Sequence, residues 1–294
     1  MTESKLDMWA QWLLQRRAAH GDPEQTKAVL VNFLYPIRDK VLSHASLNEG
    51  ETLLDVGCGD GLIAFGALEK VKASRVIFSD ISQDLLDHSQ SLAHEMQVSE
   101  RCTFLRASAD DLHGVENESV EVVTTRSVLI YVAAKQKAFN EFFRVLKPGG
   151  RLSIFEPINR FSWPEPPELF NGYDVTPVMV IADKLKNVYN RIQPDSDPML
   201  DFDERDLIVF AEKAGFREVH LELEAEIKPR PHIGNWEGFI HYAGNPKIPT
   251  LEEAMSQVLS AEEIEKFTVH LRPLVDAGQG TSRLALTYLW AIKN

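Results

Sequence analysis

The chain has 294 residues, with 31 Lys plus Arg against 44 Asp plus Glu, a formal charge of −13. Its 44% hydrophobic and 26% charged content supports a sizeable core and excludes a disordered chain as the default. The acidic balance repels phosphate backbones and anionic lipids, which sets nucleic acid and membranes aside as partners, and two cysteines, Cys58 and Cys102, are too few for a disulfide framework or a cysteine-built zinc site.

No apolar run approaches the roughly 20 residues that span a bilayer. The opening Met1-Thr2-Glu3-Ser4-Lys5-Leu6-Asp7 lacks the apolar core of a signal peptide, so a soluble protein of a reducing, cytoplasmic compartment is expected. Leu6, Trp9, Leu13 and Leu14 recur at helical spacing. Asp22-Pro23 reads as an N-cap followed by proline at the first helical position, with Val29, Leu30, Phe33 and Leu34 on the apolar face. Pro36 is expected to kink or end that helix, and Ile37 and Val41 to resume it.

The pattern then changes. Short apolar runs at 52–56, 75–80, 102–105, 120–125 and 151–155 read as strands, separated by helical stretches that include 83–96 and the one bearing Phe139, Phe142, Phe143 and Leu146, which is expected to stop at Pro148-Gly149-Gly150. Alternation of this kind implies an α/β fold, a doubly wound parallel sheet covered on both faces, whose ligands bind beyond the carboxyl ends of the strands. Residues 157–203 interrupt it with a Pro-rich stretch and a helix near 178–192, and read as an insertion. A helix at 206–214 ending at Gly215, a strand at 216–226, a second insertion at 228–280 with helices near 251–259 and 261–274, and a last strand at 283–292 complete the chain.

Between the first strand and its helix lies Asp55-Val56-Gly57-Cys58-Gly59-Asp60-Gly61. The glycines permit a tight turn and close approach of a ligand to the backbone. In the dinucleotide pattern G-x-G-x-x-G the third glycine would fall on Leu62, which counts against a nucleotide or NAD enzyme. The acids Asp55 and Asp60 would not help a pyrophosphate site but would favour a ligand with a positively charged amino-acid end.

This segment resembles motif I of the class I S-adenosylmethionine-dependent methyltransferases. The likeness continues in Asp80 at the end of the second strand, 23 residues after Gly57, in Ser108-Ala109-Asp110-Asp111-Leu112 after the third, and in Thr125-Arg126-Ser127 after the fourth. Arg144-Val145-Leu146-Lys147-Pro148-Gly149-Gly150-Arg151-Leu152 is similar to the family's helix-turn-strand element, and 283–292 to its antiparallel seventh strand. The nearest group is the small-molecule enzymes related to ubiquinone/menaquinone C-methyltransferases.

The resemblance implies a Rossmann-like, seven-stranded, mostly parallel sheet. It divides the chain into an N-terminal helical cap (1–48), a cofactor core (49–156, 204–227 and 281–294) and a lid made by the cap and the two insertions (157–203 and 228–280). It implies S-adenosylmethionine as cofactor, S-adenosylhomocysteine as product, a small-molecule acceptor and no metal. Gly57 and Gly59 would line the amino-acid end of the cofactor, and Asp55 would fix the loop or reach the amine through water. Asp80 would accept from two ribose hydroxyls. Ile81 would pack on adenine, and Ala109 and Asp110 would clamp it, with Asp111 able to exchange roles with Asp110. Arg126 departs from the family's smaller residue; its carbonyl would face the cofactor and its guanidinium an acidic substrate group or Asp60.

Transfer from a sulfonium needs alignment and a dry pocket, and a base only where the nucleophile must lose a proton, so the fold has no universal catalytic residue. Candidates around the acceptor are Tyr35, Tyr131, Trp163, Tyr173, Arg230, His232, Trp236 and His241, with His232, Tyr131 and His241 the groups considered for catalysis. Each also has a plain packing role open to it, as do Trp9 and Trp12. The nine histidines show no H-x-x-x-H pair, and an arsenical acceptor, which needs several cysteine thiolates, is disfavoured. A catalytically silent protein that binds the same cofactor, as a sensor or partner subunit, is the alternative to an enzyme.

Overall fold

Asp7 starts the first helix, α1 (Met8–Ala18), by accepting the Trp9 and Ala10 N–H groups on Oδ1 at 2.9 and 3.0 Å. The computed structural model describes residues 6–18, 27, 29–230 and 235–294; the expected helix start at Asp22-Pro23 lies outside them. A π-helical turn (Leu30–Leu34) leads without a break into α2 (Tyr35–Ala45), with Pro36 in its first turn, where a missing N–H costs little.

The alternation then runs β1 (Thr52–Val56), α3 (Leu62–Lys70), β2 (Arg75–Asp80), α4 (Gln83–Glu95), β3 (Cys102–Arg106), β4 (Val120–Arg126), α5 (Lys135–Val145) and β5 (Leu146–Pro157). After it come a short hairpin of β6 (Leu169–Phe170) and β7 (Tyr173–Asp174), then α6 (Met179–Ile192), α7 (Glu204–Ala214), β8 (Glu218–Pro229), α8 (Trp236–Ile240), α9 (Leu251–Val258), α10 (Ala261–Asp276) and β9 (Thr281–Ile292). The seven-stranded sheet has the order β3-β2-β1-β4-β5-β9-β8. β1 pairs in parallel with both β2 and β4, and β9 runs antiparallel between β5 and β8. Strand order therefore reverses between β1 and β4, where a doubly wound sheet opens its ligand crevice.

Strand alternation sends side chains to two cores. Leu54, Val56, Val123, Leu152, Ile154 and Leu289 pack on Phe139, Phe142 and Phe202. Leu53, Val76, Phe78, Val122 and Phe155 pack on Val41, Ile63 and Ala64 from α2 and α3. A third apolar cluster contains Phe170, Tyr173 and Leu185 together with Trp236, Met255 and Phe267. The segments 157–203 and 228–280 therefore share one core.

Two local expectations are corrected. Pro148-Gly149-Gly150 does not separate helix from strand: β5 already begins at Leu146, and Gly149 N–H donates to Lys293 O at 2.6 Å while Lys293 N–H donates to Gly150 O at 2.9 Å. Pairing with the far end of β9 holds this turn extended. The β6–β7 hairpin was missed although its turn is Asn171-Gly172, with φ of 50° and 82°, the dipeptide favoured where both central residues need positive φ. Two-residue strands leave no alternation to read.

Candidate active site

The turn after β1 is built from backbone. Cys58 N–H donates to Ser79 O at 2.9 Å, and Gly61 N–H to Cys58 O at 2.8 Å. Gly57 has φ +65°, and a Cβ there would lie 2.3 Å from Val128 Cγ2, so both dihedral and space require glycine. Cys58 is buried, which pushes its thiol well above the ordinary range and makes it a packing residue.

Asp80 faces this turn across the crevice. Its Oδ2 accepts from Gly59 N–H and its Oδ1 from Ser82 N–H, both at 2.9 Å. Burial pushes its pKa up, against the pull of those two bonds. Asp55 lies beneath the turn: Oδ1 accepts from Thr124 Oγ1 on β4 at 2.9 Å, and Oδ2 from Ala64 N–H in the first turn of α3 at 3.2 Å. It ties β1, β4 and α3 together, and complete burial pushes it up to about 7.

That value fixes a sign. Between the ordinary 3.8 and about 7 the folded chain holds a proton on Asp55 that the unfolded chain has released, so stability falls as pH rises through this window. Asp55→Asn, which cannot ionise, is expected to lower Tm less steeply than wild type between pH 5 and 7.5. Thermal unfolding across that range checks it; parallel curves for the two proteins would refute it.

The remaining crevice loops place the other named residues. Ile81 is exposed at the rim, and Ala109 is buried. Asp110 is half-buried and accepts from Ser108 Oγ at 2.5 Å, whereas Asp111 is exposed beside His113. Arg126 ends β4 half-buried, close enough to Asp55 to act on its charge. Ser127 then turns the chain with φ +56°.

Glu156, which sequence reasoning did not single out, holds the next three residues. Its Oε1 accepts from Val128 and Leu129 N–H at 2.8 and 2.9 Å, and its Oε2 from Ile130 N–H at 3.3 Å. The side chain is fully buried, and burial pushes it up to about 7 against those three bonds. Through Val128 the carboxylate sets the wall that touches Gly57.

Helix α1 roofs the crevice. Asp7 Oδ2 accepts from Ser82 Oγ at 2.6 Å, and Asp7 N–H donates to Asp84 Oδ2 at 2.5 Å. Burial opposes ionisation of Asp7, but its hydrogen bonds prevail and hold it below the ordinary carboxylate value. Leu13 lies against Gly59, Trp9 meets Tyr131 edge-on at 4.9 Å, and Trp12 Nε1 donates to Ala243 O at 3.0 Å. One helix thus touches three crevice loops and the second insertion. Asp7→Ala removes a cap and the Ser82 contact, worth about 1 kcal/mol. It is expected to expose α1 to limited proteolysis and weaken crevice ligands by roughly fivefold; an unchanged digestion pattern would refute this latch.

Among the acceptor candidates, Tyr131 stands at the crevice against Trp9. Tyr173 and Trp236 are buried in the core shared by the insertions. Arg230 donates to Asn171 O at 2.5 Å beside Tyr173. Tyr35 is exposed under Arg38, and Trp163 is half-buried. His241 is exposed, with Nδ1 on Glu237 O at 2.8 Å and Nε2 3.1 Å from Glu252. His232 lies outside the described residues. Among the described residues no group of three or more His, Cys, Asp or Glu could hold a metal, and no helix is long and apolar enough to cross a membrane.

The seven-stranded, mostly parallel sheet with its flanking helices is that of a methyltransferase core, and residues 34–226, well over half of the chain, match the ubiE/COQ5 methyltransferase family. The chain belongs to this family. It is 30% identical over 119 residues to the ubiquinone/menaquinone biosynthesis C-methyltransferase UbiE of Cereibacter sphaeroides, covering 40% of this chain and 47% of that protein. It is 32% identical over 126 residues to the demethylmenaquinone methyltransferase of Clavibacter sepedonicus, covering 43% and 47%. The chain thus spans about half the length of these relatives. The crystal structure of the YcgJ protein from Bacillus subtilis superposes with a TM-score of 0.55 at 16% identity, over 88% of this chain and 99% of that one, a likeness of fold. The ubiE/COQ5 match contains every crevice loop and leaves α1 and all of 228–280 outside it.

Proposed function

We propose that this chain transfers a methyl group from S-adenosylmethionine to a small-molecule acceptor beneath α1. The observation that carries the reading is the pairing of Asp80 with Gly59 N–H across a turn that tolerates no Cβ at Gly57. The residues fit the cofactor. Asp80 keeps lone pairs free to accept from vicinal ribose hydroxyls. Ile81, Ala109 and Asp110 would hold the adenine, and the turn at Gly57 and Gly59, with the carbonyl of Arg126, the amino-acid end. When bound, the sulfonium supplies an already activated methyl group. The chain's own part is alignment and exclusion of water: Val128 fixes the wall beside Gly57, and Trp9 and Leu13 close the roof.

Calorimetry with S-adenosylhomocysteine is expected to give micromolar binding to wild type and none to Gly57→Val, where the added side chain meets Val128 in a backbone conformation closed to valine. Intact binding by that variant would sink the assignment. Transfer of labelled methyl groups into a metabolite extract then separates an enzyme from a silent binder.

A further inference from the structure

Arg283 lies on β9 three residues before Leu286, which faces Pro157 at the end of β5, and so sits at the carboxyl edge of the sheet. Its guanidinium carbon is 5.5 Å from the centre of the Phe161 ring. Its Nε is sealed from solvent and has no acceptor among the described residues, the only guanidinium or ammonium nitrogen among them in that condition. By contrast Arg38, Arg101, Arg144, Arg151 and Arg230 donate to carboxylates or carbonyls. Among the described residues no carboxylate pairs with Arg283, in a chain with 44 acidic residues. Withdrawing part of a permanent charge from water without an acceptor is unfavourable, and an oxyanion on the two terminal nitrogens of the same guanidinium, which are not sealed, offsets that cost.

The neighbourhood leads to the crevice. Phe161 follows Asn159, whose Nδ2 donates to Met199 O at 3.1 Å, and Met199 Sδ accepts from Asn245 Nδ2 at 3.0 Å. Asn245 Oδ1 accepts from Lys247 N–H at 2.8 Å, and Lys247 Nζ lies 5.6 Å over Trp9, the residue that meets Tyr131 at the roof. These contacts link Arg283 to the α1 side of the crevice. Thr287, on the same face of β9 as Arg283 and opposite Glu156, has a buried hydroxyl that also lacks a partner among the described residues.

We propose that Arg283 binds an oxyanion, a carboxylate or a phosphate, carried by the methyl acceptor. Its planar fork suits bidentate recognition of either group, and the Phe161 face holds that fork in one orientation. In a chain of charge −13 such a local cation would join Arg126 and Lys247 in drawing an anionic acceptor to the crevice. This rests on the methyl-transfer reading for the word acceptor, and the test separates the two.

Benzoate and inorganic phosphate are titrated separately as probes, with Tm as the readout, into wild type, Arg283→Gln and Arg283→Lys. One of the two is expected to stabilise wild type, which identifies the oxyanion. Its apparent affinity is expected to fall at least ~tenfold in Arg283→Gln and less in Arg283→Lys. Equal stabilisation of all three proteins, or none of wild type by either probe, overturns the proposal. S-adenosylhomocysteine titrated into the same proteins shows that the variants are folded: its affinity is expected to stay within about twofold of wild type, since Arg283 is outside the cofactor loops. Failure of wild type to bind it would sink the cofactor reading and leave the oxyanion result standing. In the labelled extract, methyl groups are expected in the fraction retained by an anion exchanger; label confined to the unretained fraction overturns the proposal.

Discussion

Glu156→Ala is expected to destabilise the chain by about 3–5 kcal/mol, because it strands two buried N–H groups and one part-buried one at once and each unmatched buried donor costs roughly 1–3 kcal/mol, less what the loop regains by relaxing. Among the described residues the N–H groups of Val128, Leu129 and Ile130 donate only to the two oxygens of this carboxylate. Glu156→Gln keeps one carbonyl oxygen but turns an NH2 group toward a donor, so about half the loss is expected. Urea unfolding of the three proteins gives the measurement. A loss under about 1 kcal/mol in Glu156→Ala would mean that the loop holds its shape without the carboxylate. The crevice should suffer as well, since Val128 reaches Gly57 from this loop.

Asp80→Ala is expected to weaken S-adenosylhomocysteine by at least about a hundredfold. Two hydroxyl bonds to an anionic acceptor are worth about 1.5–3 kcal/mol each, and every 1.4 kcal/mol is tenfold in affinity. The loss of Gly59 and Ser82 N–H partners adds disorder to both loops. Asp80→Asn retains one acceptor oxygen and is expected to lose roughly tenfold. Calorimetry on proteins whose unfolding shows them intact decides. An affinity within threefold of wild type in Asp80→Ala would remove this residue from the site.

The crevice was legible in the sequence because its parts are local. A strand, a glycine turn and a helix are consecutive in 52–70 and show in the residue pattern, while Asp80, at the end of the next strand, was picked out by the family resemblance. A seven-stranded, mostly parallel sheet with an antiparallel last strand followed from the family resemblance, with alternation supplying the parallel strands; the order of the strands came with the structure. Glu156 was hidden because its partners are backbone N–H groups 26 to 28 residues earlier, and a carboxylate that serves the backbone leaves no side-chain pattern. Arg283 was hidden for a related reason, since an absent partner has no spacing. The docking of α1 depends on Asp7 finding Ser82, 75 residues away, which helical periodicity does not encode. The joint core of 157–203 and 228–280 was equally out of reach, because amphipathic helices in each segment do not say which partner their apolar faces meet.

The place of β9 bears on how the chain matures. This strand is last in sequence yet interior in the sheet, with β5 on one side and β8 on the other. A nascent polypeptide still inside the ribosome tunnel at residue 280 would carry two raw strand borders, at β5 and at β8, with a binding wall anchored on the former. Residues 281–292 have to be made before β5 and β8 find their shared partner, and until then both strand borders are open to other chains or to chaperones.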